Sequence, residues 1–448
     1  MSDPRDEALA LATAAIEQLT ASGATDAEAT VRIADRFSCE ARGTTVTKLQ
    51  RSRGRSLSVR AFVGTRRATF STTDLDPARI GALAREAVAA AVHVGEDADA
   101  ALPEAFASDE VCDHDLFTVA PDVAERPDDD KVREALELEA AVRAADARIM
   151  NTDAARVGDT SAWSALANTR GFRGVKAGTS VSRSASPVAS DGDNKRIGYY
   201  GTAARGWATA EPADAVALHA VHRALALCGA RKPPTMRVPV IFERDVAASV
   251  LGDVFAALSA ANVAIGNSWL AGKAGEKIGS ELVTIVDDGR LRGGLGSSPF
   301  DAEGVATRET IAVENGVLRS YLSDTYWGRR LGIASTGNAS GGGVGPTNLY
   351  LVPGSGTLDD LVASIDRGVL ILDTIGFATD HAGGVYSRGG RGIYVEGGAP
   401  QYALDEFTVS ASFFDLLGGI DAVAGDLRFD GTIVAPSFRV AEMTIGGT

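Results

Sequence analysis

Cysteine is scarce in this chain. The three present, Cys39, Cys112 and Cys228, are odd in number and far apart. They make neither a Cys-x-x-Cys pair nor a disulfide framework, and a reducing compartment is expected. Long apolar runs are missing as well: no stretch of about 18 apolar residues occurs, so no membrane-spanning helix is expected. The opening MSDPRDEALA has neither the basic start nor the apolar core of a signal peptide, which points to a soluble, cytoplasmic protein. Positive charge is in deficit, with 44 Lys and Arg against 59 Asp and Glu and a net charge of -15. That deficit opposes binding to nucleic-acid phosphates or anionic membranes. There is no Gly-x-Ser-x-Gly elbow of a serine hydrolase. The run Gly341–Gly345 lacks the Lys-Ser/Thr ending and following helix of a phosphate-binding loop, and reads as a flexible turn.

Glycine is in excess: 50 of 448 residues, against a usual share of roughly 7%. Most of that excess lies after Gly266, which suggests a turn-rich β architecture there. The length allows two or three domains. Residues 6–21 read as a helix and Asp76 opens another, with 27–33, 45–50, 56–63 and 67–71 as strands between them. A Pro- and Asp-rich linker, 103–130, reads as solvated surface and marks a boundary. Beyond it come a helix (131–145), an antiparallel sheet within 150–207 and a helix over 212–228. Lys232-Pro233-Pro234 marks the second boundary. The division expected is therefore 1–120, 121–234 and 235–448. The fold class is α+β, with a two-lobed α+β N-terminal part and a strand-rich, mostly antiparallel C-terminal domain. In the latter, 238–242 is a buried strand. The helix 243–261 follows, with Val246, Val250, Val254 and Leu258 on one stripe.

The densest run of signals is 296–354. Pro299-Phe300-Asp301 with Gly304 makes a turn-rich entry. Strands 310–314 and 317–322 flank Asn315-Gly316, the dipeptide preferred by a type I′ hairpin turn. Ser335-Thr336-Gly337-Asn338-Ala339 and Thr347-Asn348-Leu349 with Pro353-Gly354 follow. In this order and spacing the stretch resembles the TldD/TldE proteins, TldE being also called PmbA. The resemblance continues through Tyr386-Ser387-Arg388-Gly389-Gly390 and Tyr394-Val395-Glu396-Gly397-Gly398 to Met443-Thr444-Ile445-Gly446-Gly447. More weakly, it extends back to the first helix.

In the catalytic branch of that family, the helix after the 238–242 strand carries His-Glu-x-x-x-His, and a cysteine near the C-terminus completes a zinc site. Matched to this chain, Glu243 stands for the first histidine, Arg244 for the glutamate and Ala248 for the second histidine. No cysteine follows Cys228. The resemblance thus implies no catalytic residue and no metal in this chain, with zinc in a partner subunit. It implies the non-catalytic TldE/PmbA-like half of a heterodimeric zinc metallopeptidase, whose two chains enclose a channel for unfolded peptides. Thr336, Asn338, Asn348 and His381 are the channel-wall candidates, and self-association as a homodimer is expected when the chain is alone.

Two rival readings keep the fold. One is recruitment to amide cleavage or rearrangement in biosynthesis of a peptide-like product; the other is a homodimeric peptide-binding protein without catalysis. Other candidates have simpler explanations. Glu243 and Asp245 lie where a helix start favours acids. His219 and His222 share a helix face without further ligands at metal spacing, and Asp380-His381 near Ser387 lacks triad spacing. The cysteines read as core thiols.

Overall fold

Two long strands start the architecture. In the computed structural model, which describes residues 3–107, 113–376 and 379–448, β1 (Asp26–Arg42) and β2 (Thr45–Val63) form a hairpin extended by β3 (Arg66–Thr72). The chain returns as β4 (Ile149–Asn168), β5 (Arg173–Asp191), β6 (Asn194–Ile197) and β7 (Tyr200–Ala204) to complete a seven-stranded sheet. β4 pairs antiparallel with β1 from Glu28↔Asn168 to Ala41↔Ala155, so the segments before and after residue 120 share one sheet.

Side chains alternate across a strand, and the odd-numbered face carries both helical layers. Ala27, Ala29, Val31 and Ile33 pack with α1 (Pro4–Ala21) and α2 (Pro77–His93). Phe37, Cys39 and Ala41, farther along the same face, join a second core. After the short α3 (Asp113–Leu116) and α4 (Asp122–Glu125), this core is closed by α5 (Asp128–Ala144) and α6 (Ala213–Ala226). Two helix pairs end to end on one sheet face make the two lobes. Between them, ion pairs replace apolar contacts: Arg55 meets Glu7 at 2.8 Å and Arg53 meets Asp35 at 3.7 Å. That gap explains a difference from the sequence reading. The charged residues 51–55 read as a break between two strands, whereas β2 runs through them unbroken.

The linker 103–130 also differs from its reading as solvated surface. Pro103, Leu116 and Thr118 are buried, and Thr118 Oγ1 donates to the Ala177 carbonyl at 2.8 Å.

After residue 235 a second architecture begins with β8 (Met236–Phe242) and α7 (Arg244–Leu258). A six-stranded sheet runs in the order 399–412, 385–396, 367–375, β8, 438–446, 420–423. Thr408–Ser410 also pair with Thr444–Gly446, closing five strands into a ring. A five-stranded sheet (317–318, 309–314, 285–288, 349–351, 433–434) packs into the same core, where Val246, Val250, Val254 and Leu258 of α7 are buried. Both sheets are mostly antiparallel, with parallel pairings of β8 with 367–375 and of 349–351 with 433–434. The expected Asn-Gly turn is present, with φ 48° at Asn315 and 78° at Gly316. The strand after it stops at Leu318 rather than 322, because Arg319 and Ser320 both turn their N–H groups back to the Ala312 carbonyl.

The C-terminal part packs on the opposite, even-numbered face of the first sheet. Lys176 Nζ donates to the Phe300 carbonyl at 2.7 Å, Phe172 meets Phe300 edge-on at 5.2 Å, and Arg60 pairs with Glu303 at 3.2 Å.

Candidate functional site

Strand β8 is apolar through Val240, Ile241 and Phe242, all without solvent exposure, and α7 begins two residues later. Glu243 caps that helix by accepting from the Asp245 N–H at 3.1 Å. It also accepts from Arg223 of α6 at 2.9 Å, and Arg223 reaches Asp245 at 2.6 Å. Burial pushes the Glu243 carboxyl up, against the pull of Arg223. Arg244 turns toward the first sheet and donates to the Tyr200 hydroxyl at 3.0 Å. Arg428 donates to the same oxygen at 2.7 Å, and Tyr200 donates to Glu211 at 2.8 Å. Arg428 also pairs with Glu211 directly. Burial and the Glu211 bond push the Tyr200 phenol up to about 12, so it holds its proton as donor. Ala248, one turn into α7, is half-buried and carries no donor atom.

This ionic cluster borders a cleft of about 820 Å³ between the two architectures. One wall is the segment 117–125, which includes α4, another β7 and the segment to Glu211, and the third Arg428-Phe429-Asp430 with Gly293. Phe117 and Phe429 stand at its rim, 48% and 38% exposed. Asp122 holds one wall together, since its Oδ2 accepts from the Ala208 N–H at 2.8 Å. Its Oδ1 is buried and has no hydrogen-bond partner among the described residues. Burial raises the Asp430 carboxyl, and Arg428 pulls it back. The cleft is of ligand size and combines apolar rings with a few convergent polar groups, the usual make-up of a binding site.

Comparison with known proteins decides the family. Models of the PmbA/TldA metallopeptidase match as domain 1 over residues 27–91, as central domain over 121–227 and as C-terminal domain over 235–447. A metalloprotease PmbA homolog of Haemophilus influenzae is 30% identical over 440 residues, covering 97% of this chain and 94% of its own. The chain belongs to the PmbA/TldD family. Metalloprotease PmbA of Escherichia coli O157:H7 is 28% identical over 395 residues, with 88% and 86% covered. The fold matches TldE from Thermococcus kodakarensis with a TM-score of 0.85 at 20% identity, over 96% of this chain and 99% of that one. A solved chain from Bacteroides thetaiotaomicron matches at 0.92 and 22% identity over the full length of both.

Within this PmbA/TldD fold, the channel-wall candidates lie apart from the cleft. Thr336, Asn338 and Asn348 are all buried, and their polar atoms serve their own chain. Thr336 donates to Asn338 Oδ1 at 2.6 Å, and Asn338 donates to Asp287 at 2.6 Å and to the Gly345 carbonyl at 3.0 Å. Asn348 donates to the Asp288 carbonyl at 2.6 Å and accepts from the Gly296 N–H at 2.9 Å. Buried and bonded in this way, these side chains act as struts beneath the turns. His381 is half-buried; its carbonyl accepts from the Trp269 N–H at 3.0 Å, and its Nδ1 has no partner among the described residues. Asp380 beside it accepts from the backbone of Ala382 and Gly383, as the cap of a turn.

His219 lies at the edge of the ionic cluster, 3.4 Å from Glu211, while His222 is exposed. Burial pushes the His219 imidazole down and Glu211 pulls it back up. Cys39 is a core thiol, Cys228 is half-buried, and Cys112 lies outside the described residues. Among the described residues, no three His, Cys, Asp or Glu side chains are grouped to hold a metal ion.

The sequence reading missed Asp122, Glu211, Arg428 and Asp430. Only one signal for them existed: a cluster of acids in a linker that also carries Phe117.

Proposed function

We propose that this chain is the non-catalytic, TldE/PmbA-like subunit of a heterodimeric zinc metallopeptidase acting on unfolded peptides. A TldD-like partner carrying His-Glu-x-x-x-His supplies the zinc, and this chain supplies part of the substrate channel and stabilises the assembly in the cytoplasm. The reading is carried by one observation: the guanidinium groups of Arg244 and Arg428 converge on the Tyr200 hydroxyl at the start of α7. A catalytic zinc takes about three protein ligands and one open position. The residues at these positions do not suit it, because Ala248 has no ligand atom, Glu243 is engaged by Arg223, and two fixed positive charges repel a cation. Membership of a family whose relatives are named metalloproteases supports the peptide substrate.

The test is elemental analysis of the dialysed chain, then cleavage of an unstructured peptide with and without a His-Glu-x-x-x-His relative. Cleavage is expected only with the relative, and chelator-sensitive. One zinc per lone chain together with cleavage by that chain overturns the proposal.

A further inference from the structure

Charge is spread unevenly along the first sheet. From Ala41 to Thr73 the chain has eight Lys and Arg residues and no Asp or Glu, although its net charge is -15. Most of that stretch is β2, and much of β2 has a bare edge. β1 pairs with one side of it from Asp26↔Phe62 to Arg42↔Thr45, whereas β3 pairs with the other side only over Leu57–Val63. Among the described residues no strand pairs with the outer side of Thr45–Ser56. That leaves about 40 Å of edge on which every second residue turns its N–H and C=O outward.

Sheets blunt an edge by shortening, bulging or breaking it with proline, or by placing charge on it. Here the edge is long and free of proline, and its register with β1 shifts only beside the hairpin turn, between Glu40 and Ala41. Charge alone remains, and it is of one sign. On the odd-numbered face that charge is already matched, by Asp128 for Arg51, Asp35 for Arg53 and Glu7 for Arg55. On the even-numbered face it is not. Lys48, Arg36 and Arg32 are exposed and make no ion pair among the described residues. Glu40, directly across from Lys48, is taken by Arg156 at 2.8 Å. Arg36 stands opposite Ser52 and Arg32 opposite Ser56, so the free cations recur every four residues along the edge. Arg36 shares with Ser38, Gln50 and Ser52 a shallow hollow of about 280 Å³.

We infer that the outer edge of Thr45–Ser56 takes up an extended acidic peptide as an added strand, with its carboxylates on the even-numbered face. The inference rests on the peptide-handling reading above and gives that peptide a chemical class. Main-chain hydrogen bonds hold the added strand and its side chains select it. A second copy of this chain is disfavoured, because two-fold pairing sets a basic strand against itself. A nucleic-acid backbone offers phosphate acceptors but no row of donors for the outward carbonyls.

The experiment is fluorescence anisotropy of the full chain with short unstructured labelled peptides capped at both ends. One carries Glu at every fourth position, one Gln at those positions and one Lys. The Glu peptide is expected to bind about tenfold more tightly than the Gln peptide, as three exposed ion pairs of ordinary strength allow. The Lys peptide is expected to bind most weakly, and the preference to shrink with salt. Arg36→Gln combined with Lys48→Gln, both at exposed positions, should remove most of the preference. Strand addition is read from two Glu peptides N-methylated at alternate residues in complementary sets: one is expected to lose binding and the other to keep it. Equal binding of Glu and Lys peptides overturns the inference, as does equal binding of the two N-methylated peptides. An oligodeoxynucleotide that displaces the Glu peptide at equal concentration assigns the edge to phosphates and also overturns it. So does light scattering in which the double variant alone turns a dimer into a monomer, since the edge then belongs to a second copy. Partner-dependent cleavage can survive each of these results, and acidic-peptide binding by the lone chain can survive loss of partner dependence, so the two readings fail separately.

Discussion

Asp287, 1% exposed, lies beneath the two turns that give the C-terminal part its recognisable sequence. Its oxygens accept from Asn338 Nδ2 at 2.6 Å, from the Thr347 N–H at 2.8 Å and from the Thr347 hydroxyl at 2.7 Å. Removing the acceptor strands three donors in a dry site, so Asp287→Ala is expected to cost about 3 kcal/mol. Urea denaturation checks this; a loss below about 1 kcal/mol counts against the strut role. A second buried acid acts through pH. Burial pushes Glu28 up to about 7; Arg60 pulls it back, and Glu303 and Asp301 push it further. Burial and Glu303 likewise raise Asp301 to about 7. The folded state thus holds protons that the unfolded state has released. The stability they contribute is fully present below the unfolded values, 4.5 and 3.8, and is lost as pH rises through about 7. The urea midpoint is expected to fall between about pH 5 and 7.5, and Glu28→Gln to flatten that slope by up to one proton, about 1.4 kcal/mol per pH unit. An unchanged slope in Glu28→Gln would show that this carboxyl is not the one titrating.

Among the elements, the Asn315-Gly316 hairpin was legible because a two-residue turn with both φ positive needs such a dipeptide. The structure adds a second demand. A Cβ on Gly316 would lie 2.2 Å from the Gly279 carbonyl oxygen and 2.5 Å from that of Ser280. Gly316→Ala therefore meets both backbone strain and a clash, and about 2 kcal/mol or more of destabilisation is expected. Chemical denaturation within experimental error of the parent would remove the close approach from the account. The stripe on α7 was also legible, since period and burial coincide. β2 was not. Its apolar alternation fails where no helix covers the sheet, and an uncovered strand has no reason to alternate.

For the whole molecule, the C-terminal part leaves large apolar side chains uncovered: Ile265 is 63% exposed, Leu282 47% and Ile375 47%. Scattered exposure is ordinary for a single residue, but three such positions in the part expected to meet a partner fit an incomplete assembly. Multi-angle light scattering of the lone chain is expected to give a dimer, replaced by a mixed dimer when the zinc-motif relative is added. A monomer unchanged by the relative would contradict this.

The sequence by itself determined what depends on neighbours along the chain. Turn dipeptides, helix caps and stripes, and the ordered motifs of 296–354 all report local backbone demands, and they carried both the fold class and the family. Tertiary structure decided which residues meet. The cleft draws Asp122 from a stretch read as linker, Glu211 from before α6 and Arg428 from the C-terminal part. No sequence period spans such distances. Burial decided roles as well: Thr336, Asn338 and Asn348 have the polar groups a peptide channel would use, but packing turned those groups inward to hold the turns. A hydrogen-bonding side chain serves a ligand only when the fold has not already satisfied it, and that is settled in three dimensions.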